Sequence, residues 1–227
     1  MRVARGFDVL REVATAPLRG KSSPVRERLR QKALAVAREP GLVDAAYSYC
    51  IVPLEAPAAE WLHAGGERLH APWLLPESGT LTAIACAVCT LGPAFEQRVS
   101  GLFAVRQASL AMALDELGNE LVFAVSRRAQ DRMLADAARR KLCMAGELRP
   151  GDPGLALDAQ AAVLRLAQAE NIGVSLGSGG LMHPVKSCSM VMGVGIDLPP
   201  VQWSRCDQCP TRDKCRVVER AAAAASS

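Results

Sequence analysis

The sequence predicts an α+β fold, with helices packed on a mixed or antiparallel sheet. Apolar runs of strand length recur at 45–52, 81–91 and 188–196, and a long helical periodicity fills 94–141. Glycine or proline punctuates most of the joints between them. There is no internal repeat. With 227 residues, half of them apolar, the chain can bury a full core. A net charge of +4, with no long block of like charge, is too weak to argue for nucleic acid by itself. The longest apolar stretch, 81–91, is too short to span a bilayer, and the first residues are not followed by a secretory apolar core. A cytoplasmic protein with no membrane partner is therefore expected, and its eight cysteines are expected as reduced thiols or metal ligands.

In chain order, 7–13 is a short apolar segment. Ser23 before Pro24 offers an N-cap and a first-turn proline, so a helix is expected to about Arg38, ended by Pro40 and Gly41. Residues 45–52 read as a strand and 53–57 as a connector. His63 and His70 flank the pair Gly65-Gly66, which argues against a helix there. Residues 81–91 read as a buried strand closed by Gly92-Pro93. Over 94–141, Leu102, Val105, Leu110, Leu114, Leu117, Leu121 and Val125 keep helical spacing. Gly118 within that run marks either a bend or a close contact with another element. A loop over 149–154 leads to a helix over 157–169, which Asn171 and Gly173 can end in the left-handed conformation. Strands are expected at 172–176 and 188–196. In the second, Cys188, Met190, Met192, Val194 and Ile196 fall on one face, and Ser187, Ser189, Val191, Gly193 and Gly195 on a smaller face that leaves room for a helix or ligand.

Cys206-x-x-Cys209-x5-Cys215 has the spacing that lets thiolates converge on zinc or an iron–sulfur cluster. Cys188, Cys143 or an exogenous ligand would complete the set; surface thiols without a ligand role are the alternative. Cys86 and Cys89 share the Cys-x-x-Cys spacing, but on a strand they point to opposite faces and read as small buried hydrophobes, as does Cys50. His63, His70 and His183 read as surface or structurally satisfied histidines. Lys186, beside Ser187 and Ser189, either meets an anion or is a solvated lysine at a strand start. The glycine run 177–180 lacks the Lys-Ser/Thr of a P-loop and the spacing of a dinucleotide fingerprint, so it reads as a tight turn.

The run Met182-His183-Pro184-Val185-Lys186-Ser187-Cys188-Ser189, with a glycine-bearing strand and the cysteine cluster after it, resembles stand-alone relatives of the activation domain of vitamin B12-dependent methionine synthase. Val9-Leu10 and Leu18-Arg19-Gly20 are similar to the family's N-terminal segment. Thr90-Leu91-Gly92-Pro93 is similar to its Thr-Leu-Gly-Pro element, and Leu114-Asp115-Glu116-Leu117-Gly118 to its Leu-Asp-x-x-Gly helix. The resemblance implies an activation-domain-like α+β domain over 1–200, then a Cys-rich tail over 201–220; by composition 221–227 reads as a disordered Ala/Ser tail. In the family, S-adenosylmethionine lies against an Arg-x-x-x-Gly-Tyr loop. The corresponding loop here runs over 149–155, one residue longer, with Leu155 where the tyrosine is expected.

What the resemblance implies for the site is Arg149 for the carboxylate of the methyl donor and Gly151 and Gly154 for close backbone approach. Met182, Pro184, Lys186 and Ser187 join them as cofactor-binding residues; by their spacing Cys206, Cys209 and Cys215 are the candidate metal ligands, and no catalytic residue is assigned. For function it implies an accessory factor that reductively reactivates a corrinoid, remethylating it from S-adenosylmethionine. No Asp-x-His-x-x-Gly element is present, so cobalamin is expected on a partner methyltransferase such as a split methionine synthase, with flavodoxin or ferredoxin as reductant. Two other classes stand beside this one. An iron–sulfur electron-transfer module would use the terminal cysteines, and a zinc-stabilised nucleic-acid binder would add Arg205, Arg212, Lys214 and Arg216. Low aromatic content and weak net charge count against the latter.

Overall fold

A computed structural model of the chain describes residues 1–15 and 23–199. It opens with strand β1 (Arg2–Arg5) and the short helix α1 (Leu10–Thr15). Helix α2 (Pro24–Ala37) starts where its sequence predicts, because the extended Ser23 accepts the Arg26 backbone N–H at 3.3 Å and Pro24 occupies the first turn. Strand β2 (Ala46–Pro53), the hairpin β3 (Trp61–Ala64) and β4 (Glu67–His70), and the long strand β5 (Thr80–Thr90) follow. Gly65 and Gly66 turn the hairpin with positive φ, the conformation glycine adopts most cheaply. The rest comprises helices α3 (Pro93–Ala104) and α4 (Ala108–Arg139), strand β6 (Cys143–Leu148), helix α5 (Gln160–Leu166), the two-residue strands β7 (Ser175–Leu176) and β8 (Met182–His183), and strand β9 (Ser187–Ile196).

The main sheet is antiparallel throughout, in the order β1-β2-β5-β9-β6. Both of its faces are covered. Alternation along β5 sends Ala85, Ala87 and Cys89 to one core with Leu34, Phe95, Leu114 and Met133, under the helices α1 to α4. It sends Ile84, Cys86 and Val88 to a second core with Leu62, Leu69, Leu155 and Val163, under α5 and the hairpin. Burial on both sides is why 81–91 reads as an almost unbroken apolar run.

Several expectations need correction. The helix expected over 94–141 is two helices, broken where Arg106 takes φ 59° and the Gln107 N–H returns to the Leu102 carbonyl. Of the two readings of Gly118 the close contact holds: α4 runs through it unbroken, against the ring of Phe95. The strand expected at 172–176 shrinks to Ser175–Leu176, because Ala169–Ile172 coils into a 3-10 turn that Gly173 ends in the left-handed region. The helix expected over 157–169 is a 3-10 turn, Leu157–Ala159, followed by the shorter α5. Edge strands β1 and β6 had no counterpart among the expected strands. The small face of β9 is filled by protein: a Cβ on Gly193 would lie 2.9 Å from Leu81 Cδ1 and 3.0 Å from the Ala145 carbonyl. Among the described residues no helix is long and apolar enough to cross a membrane.

Candidate functional site

Three of the segments that carry the family resemblance meet at one junction. Lys186 lies at the start of β9 with its Nζ 2.8 Å from Asp115 Oδ1 and 2.8 Å from Asn119 Oδ1, one helical turn apart on α4. Gly118 lies between these two residues in sequence. A Cβ there would fall 3.2 Å from Lys186 Cε and 2.6 Å from Phe95 Cε1, so its absence lets the lysine chain and the ring pass. The Lys186 carbonyl accepts the Leu91 N–H at 3.0 Å, and the Ser187 hydroxyl donates to Thr90 Oγ1 at 2.9 Å. Thr90 Oγ1 also accepts the Gly92 N–H at 3.1 Å. Gly92 has φ 79°, and a Cβ on it would lie 2.9 Å from that of Asp44. The Val185 N–H donates to the Glu96 carboxylate on α3. Lys186 is therefore neither a solvated lysine nor one awaiting its first anion; the carboxylate it meets is Asp115. A groove of about 640 Å³ between α2 and α4, lined by Leu29, Arg30, Phe103 and Met112, opens beside Asp115 and Asn119.

Arg149 leaves the end of β6 toward α4. Its Nε donates to Glu147 Oε1 at 2.9 Å, its Nη2 reaches Ser126 Oγ at 3.2 Å, and the guanidinium sits 5.2 Å from the centre of the Phe123 ring. Only 14% of the side chain is exposed. Burial opposes its charge, but the Cys188 and Glu147 charges outweigh burial and push its pKa up. None of these hydrogen bonds uses Nη1. Beneath the guanidinium, Cys188 and Cys89 face each other across β9 and β5.

The loop over 149–155 is closed by its own backbone, with the Arg149 N–H donating to Asp152 Oδ2 at 3.1 Å and the Gly151 N–H to the Leu155 carbonyl at 2.9 Å. Leu155 is buried in the second core with Leu148 and Val163, so its side chain faces inward and not onto the loop surface. Gly154, at φ 85°, has its Cβ space taken by Trp73, whose Cγ would be 2.6 Å away. Gly151, at φ 95°, is more open: its nearest neighbour would be Leu157 Cδ1 at 3.8 Å. Leu157 also lies under Gly180, so this loop and the glycine turn Ser178–Gly180 come together over one side chain. Met182 packs on the second core and pairs with Leu176, and Pro184 is buried after a cis peptide.

Among the described residues no three His, Cys, Asp or Glu side chains are grouped to hold a metal. Cys206, Cys209 and Cys215 lie outside the described residues. Cys143, one candidate for a fourth ligand, is exposed at the start of β6, and Cys188, the other, faces Cys89. His70 lies against the Trp61 ring in the hairpin, and His183 against Gly177. Sequence reasoning missed Asn119, Phe123, Ser126, Glu147 and Trp73. A signal for two of them was present, since Asp115, Asn119, Ser126 and Gln130 form a polar stripe at helical spacing within the apolar pattern of α4.

No protein-family model and no curated protein matches the sequence. Among solved structures, the crystal structure of the MetH reactivation domain bound to AdoHcy is similar to this chain with a TM-score of 0.66 at 14% identity, covering 96% of this chain and 86% of that one. The chain resembles that domain in its fold, an antiparallel sheet packed with helices.

Proposed function

We propose that this chain is an accessory factor for reductive reactivation of a corrinoid, remethylated from S-adenosylmethionine while held on a partner methyltransferase, a split cobalamin-dependent methionine synthase first among them. The observation that supports this best is the junction at Lys186. Segments around Thr90, Asp115 and Lys186 are far apart in sequence, each resembles the activation-domain family, and they meet in one place. The similarity of fold to a domain whose structure holds AdoHcy supports it further.

The methyl donor and the partner's corrinoid would supply the chemistry, with methyl transfer drawing an unfavourable one-electron reduction forward. The chain's own residues bind and orient. Arg149 keeps its Nη1 for a ligand carboxylate, while Glu147 and Ser126 fix the plane of the guanidinium. Gly151 leaves backbone open to close approach, whereas Trp73 occupies that role at Gly154. Lys186 and Ser187 act as positioning residues: pinned to α4 and to Thr90, they hold the preceding turn, from which Leu181 and Val185 project at 67% and 60% exposure toward a docking partner. Met182 and Pro184 anchor the same turn from within. A flavodoxin or ferredoxin is the proposed reductant. A zinc ion or iron–sulfur cluster on Cys206, Cys209 and Cys215 is a separate part of the proposal, and equal metal content in wild type and Cys209→Ser would remove it.

The test is calorimetric titration of anaerobically purified protein with S-adenosylmethionine. Binding is expected in the wild type and lost in Arg149→Ala with an unchanged circular dichroism spectrum. A wild type that does not bind overturns the methyl-donor site; equal affinity in the variant removes Arg149 from it.

A further inference from the structure

We propose that Cys188 and Cys89 form a redox-active dithiol, in which Cys188 reacts with small disulfides and Cys89 resolves the product into a reversible cross-strand disulfide beneath Arg149. The two are direct partners in the β5–β9 register. Opposed residues of an antiparallel pair keep their Cα atoms about 4.5–5.5 Å apart, inside the span of about 4.4–6.8 Å that disulfides bridge. Their side chains lie on the α4 side of the sheet, where Arg149, just past the end of β6, donates to Ser126 of α4. Cys89 is fully buried, whereas Cys188 keeps part of its residue surface exposed, so opening the structure at this edge uncovers Cys188 before Cys89.

The electrostatics divide the roles in the same way. The Cys89 hydrogen bond, the Arg149 charge and the Ser126 hydroxyl hold the Cys188 thiol below its ordinary range, against burial and the Glu147 charge. Cys89 keeps its proton, raised first by its hydrogen bond to Cys188 and then by burial. The sheet also contains its own comparison. Cys50 and Cys86 are direct partners across β2 and β5, but both are buried, and burial followed by the Cys50 charge pushes the Cys86 thiol up.

The chemistry balances with a low-molecular-weight disulfide as the two-electron oxidant. The Cys188 thiolate attacks one sulfur of the reagent, forming a mixed disulfide and releasing one thiolate. Cys89 then attacks the Cys188 sulfur, releases the second thiol and passes its proton to that leaving group. Two protein thiols are oxidised and one small disulfide is reduced. In the oxidised form Cys188 can no longer ionise beside Arg149.

The proposal does not depend on the methyl-donor reading, and its test reads covalent bonds alone. Reduced full-length protein is exposed anaerobically to oxidised glutathione at neutral pH, alkylated and mapped by mass spectrometry. A Cys89–Cys188 linked peptide that dithiothreitol reverses is expected, with Cys50 and Cys86 still alkylatable. Cys89→Ala should stop at glutathionylated Cys188, and Ser126→Ala, which leaves both sulfurs in place, should slow the first step severalfold. Cys188 reacting no faster than Cys50, or linking only to Cys206, Cys209 or Cys215, overturns the assignment.

Discussion

Lys186 brings an ammonium group to a position where only 10% of the side chain meets solvent, and the chain compensates it with Asp115 and Asn119. Desolvating a charge is tolerated only when such partners are present. Asp115 is itself 47% exposed, so solvent screens the pair and its net value lies well below that of a fully buried bridge. Removing the lysine also strips a packed aliphatic stem from beside Gly118. We expect Lys186→Ala to lower stability by about 2 kcal/mol, read as a shift in the midpoint of urea unfolding. A change within about 0.5 kcal/mol would mark an ordinary surface lysine and remove the junction as a structural device. An anionic partner for Lys186 was one of the two readings its neighbours allowed. Which anion was not legible, because Asp115 lies on another element and is brought there only by the docking of β9 against α4.

Helix α4 shows how a propensity argument and a packing argument can oppose each other at one position. Replacing Gly118 with alanine would favour the helix by up to about 1 kcal/mol on propensity alone. The added Cβ, however, would lie 2.6 Å from the ring of Phe95, a side chain with no solvent to retreat into. Overpacking of a dense core costs about 1–3 kcal/mol, so Gly118→Ala is expected to destabilise, visible as a lower midpoint in thermal unfolding. A stabilised variant would show that the ring moves aside freely. The break between α3 and α4 could not be read from the sequence, because neither Arg106 nor Gln107 is a breaker by type and the left-handed Arg106 follows from how α3 docks. Edge strands β1 and β6 escaped for a different reason. Each pairs on one side only and is largely exposed or half-buried, so neither carries a clean alternation of apolar residues.

At the scale of the molecule, β5 is held between two strands and buried on both faces, whereas β1 and β6 each have one neighbour. Amide hydrogen exchange should therefore be slowest along β5 and faster in β1 and β6; protection of β1 equal to that of β5 would contradict this arrangement. The sequence by itself determined the local grammar. It set the Ser23 cap with Pro24, the split of Cys86 and Cys89 to opposite faces, the glycine turn before the signature run, and the segments whose wording resembles the activation domain. These are decided by dihedral preferences and side-chain period, which act between near neighbours in the chain. Only the tertiary structure decided that Lys186 would reach Asn119, 67 residues away, that Arg149 would rest on Ser126 and Phe123, and that Cys188 would face Cys89. Those pairings depend on strand order, register and helix docking, which the packing of both cores settles together and no single segment encodes.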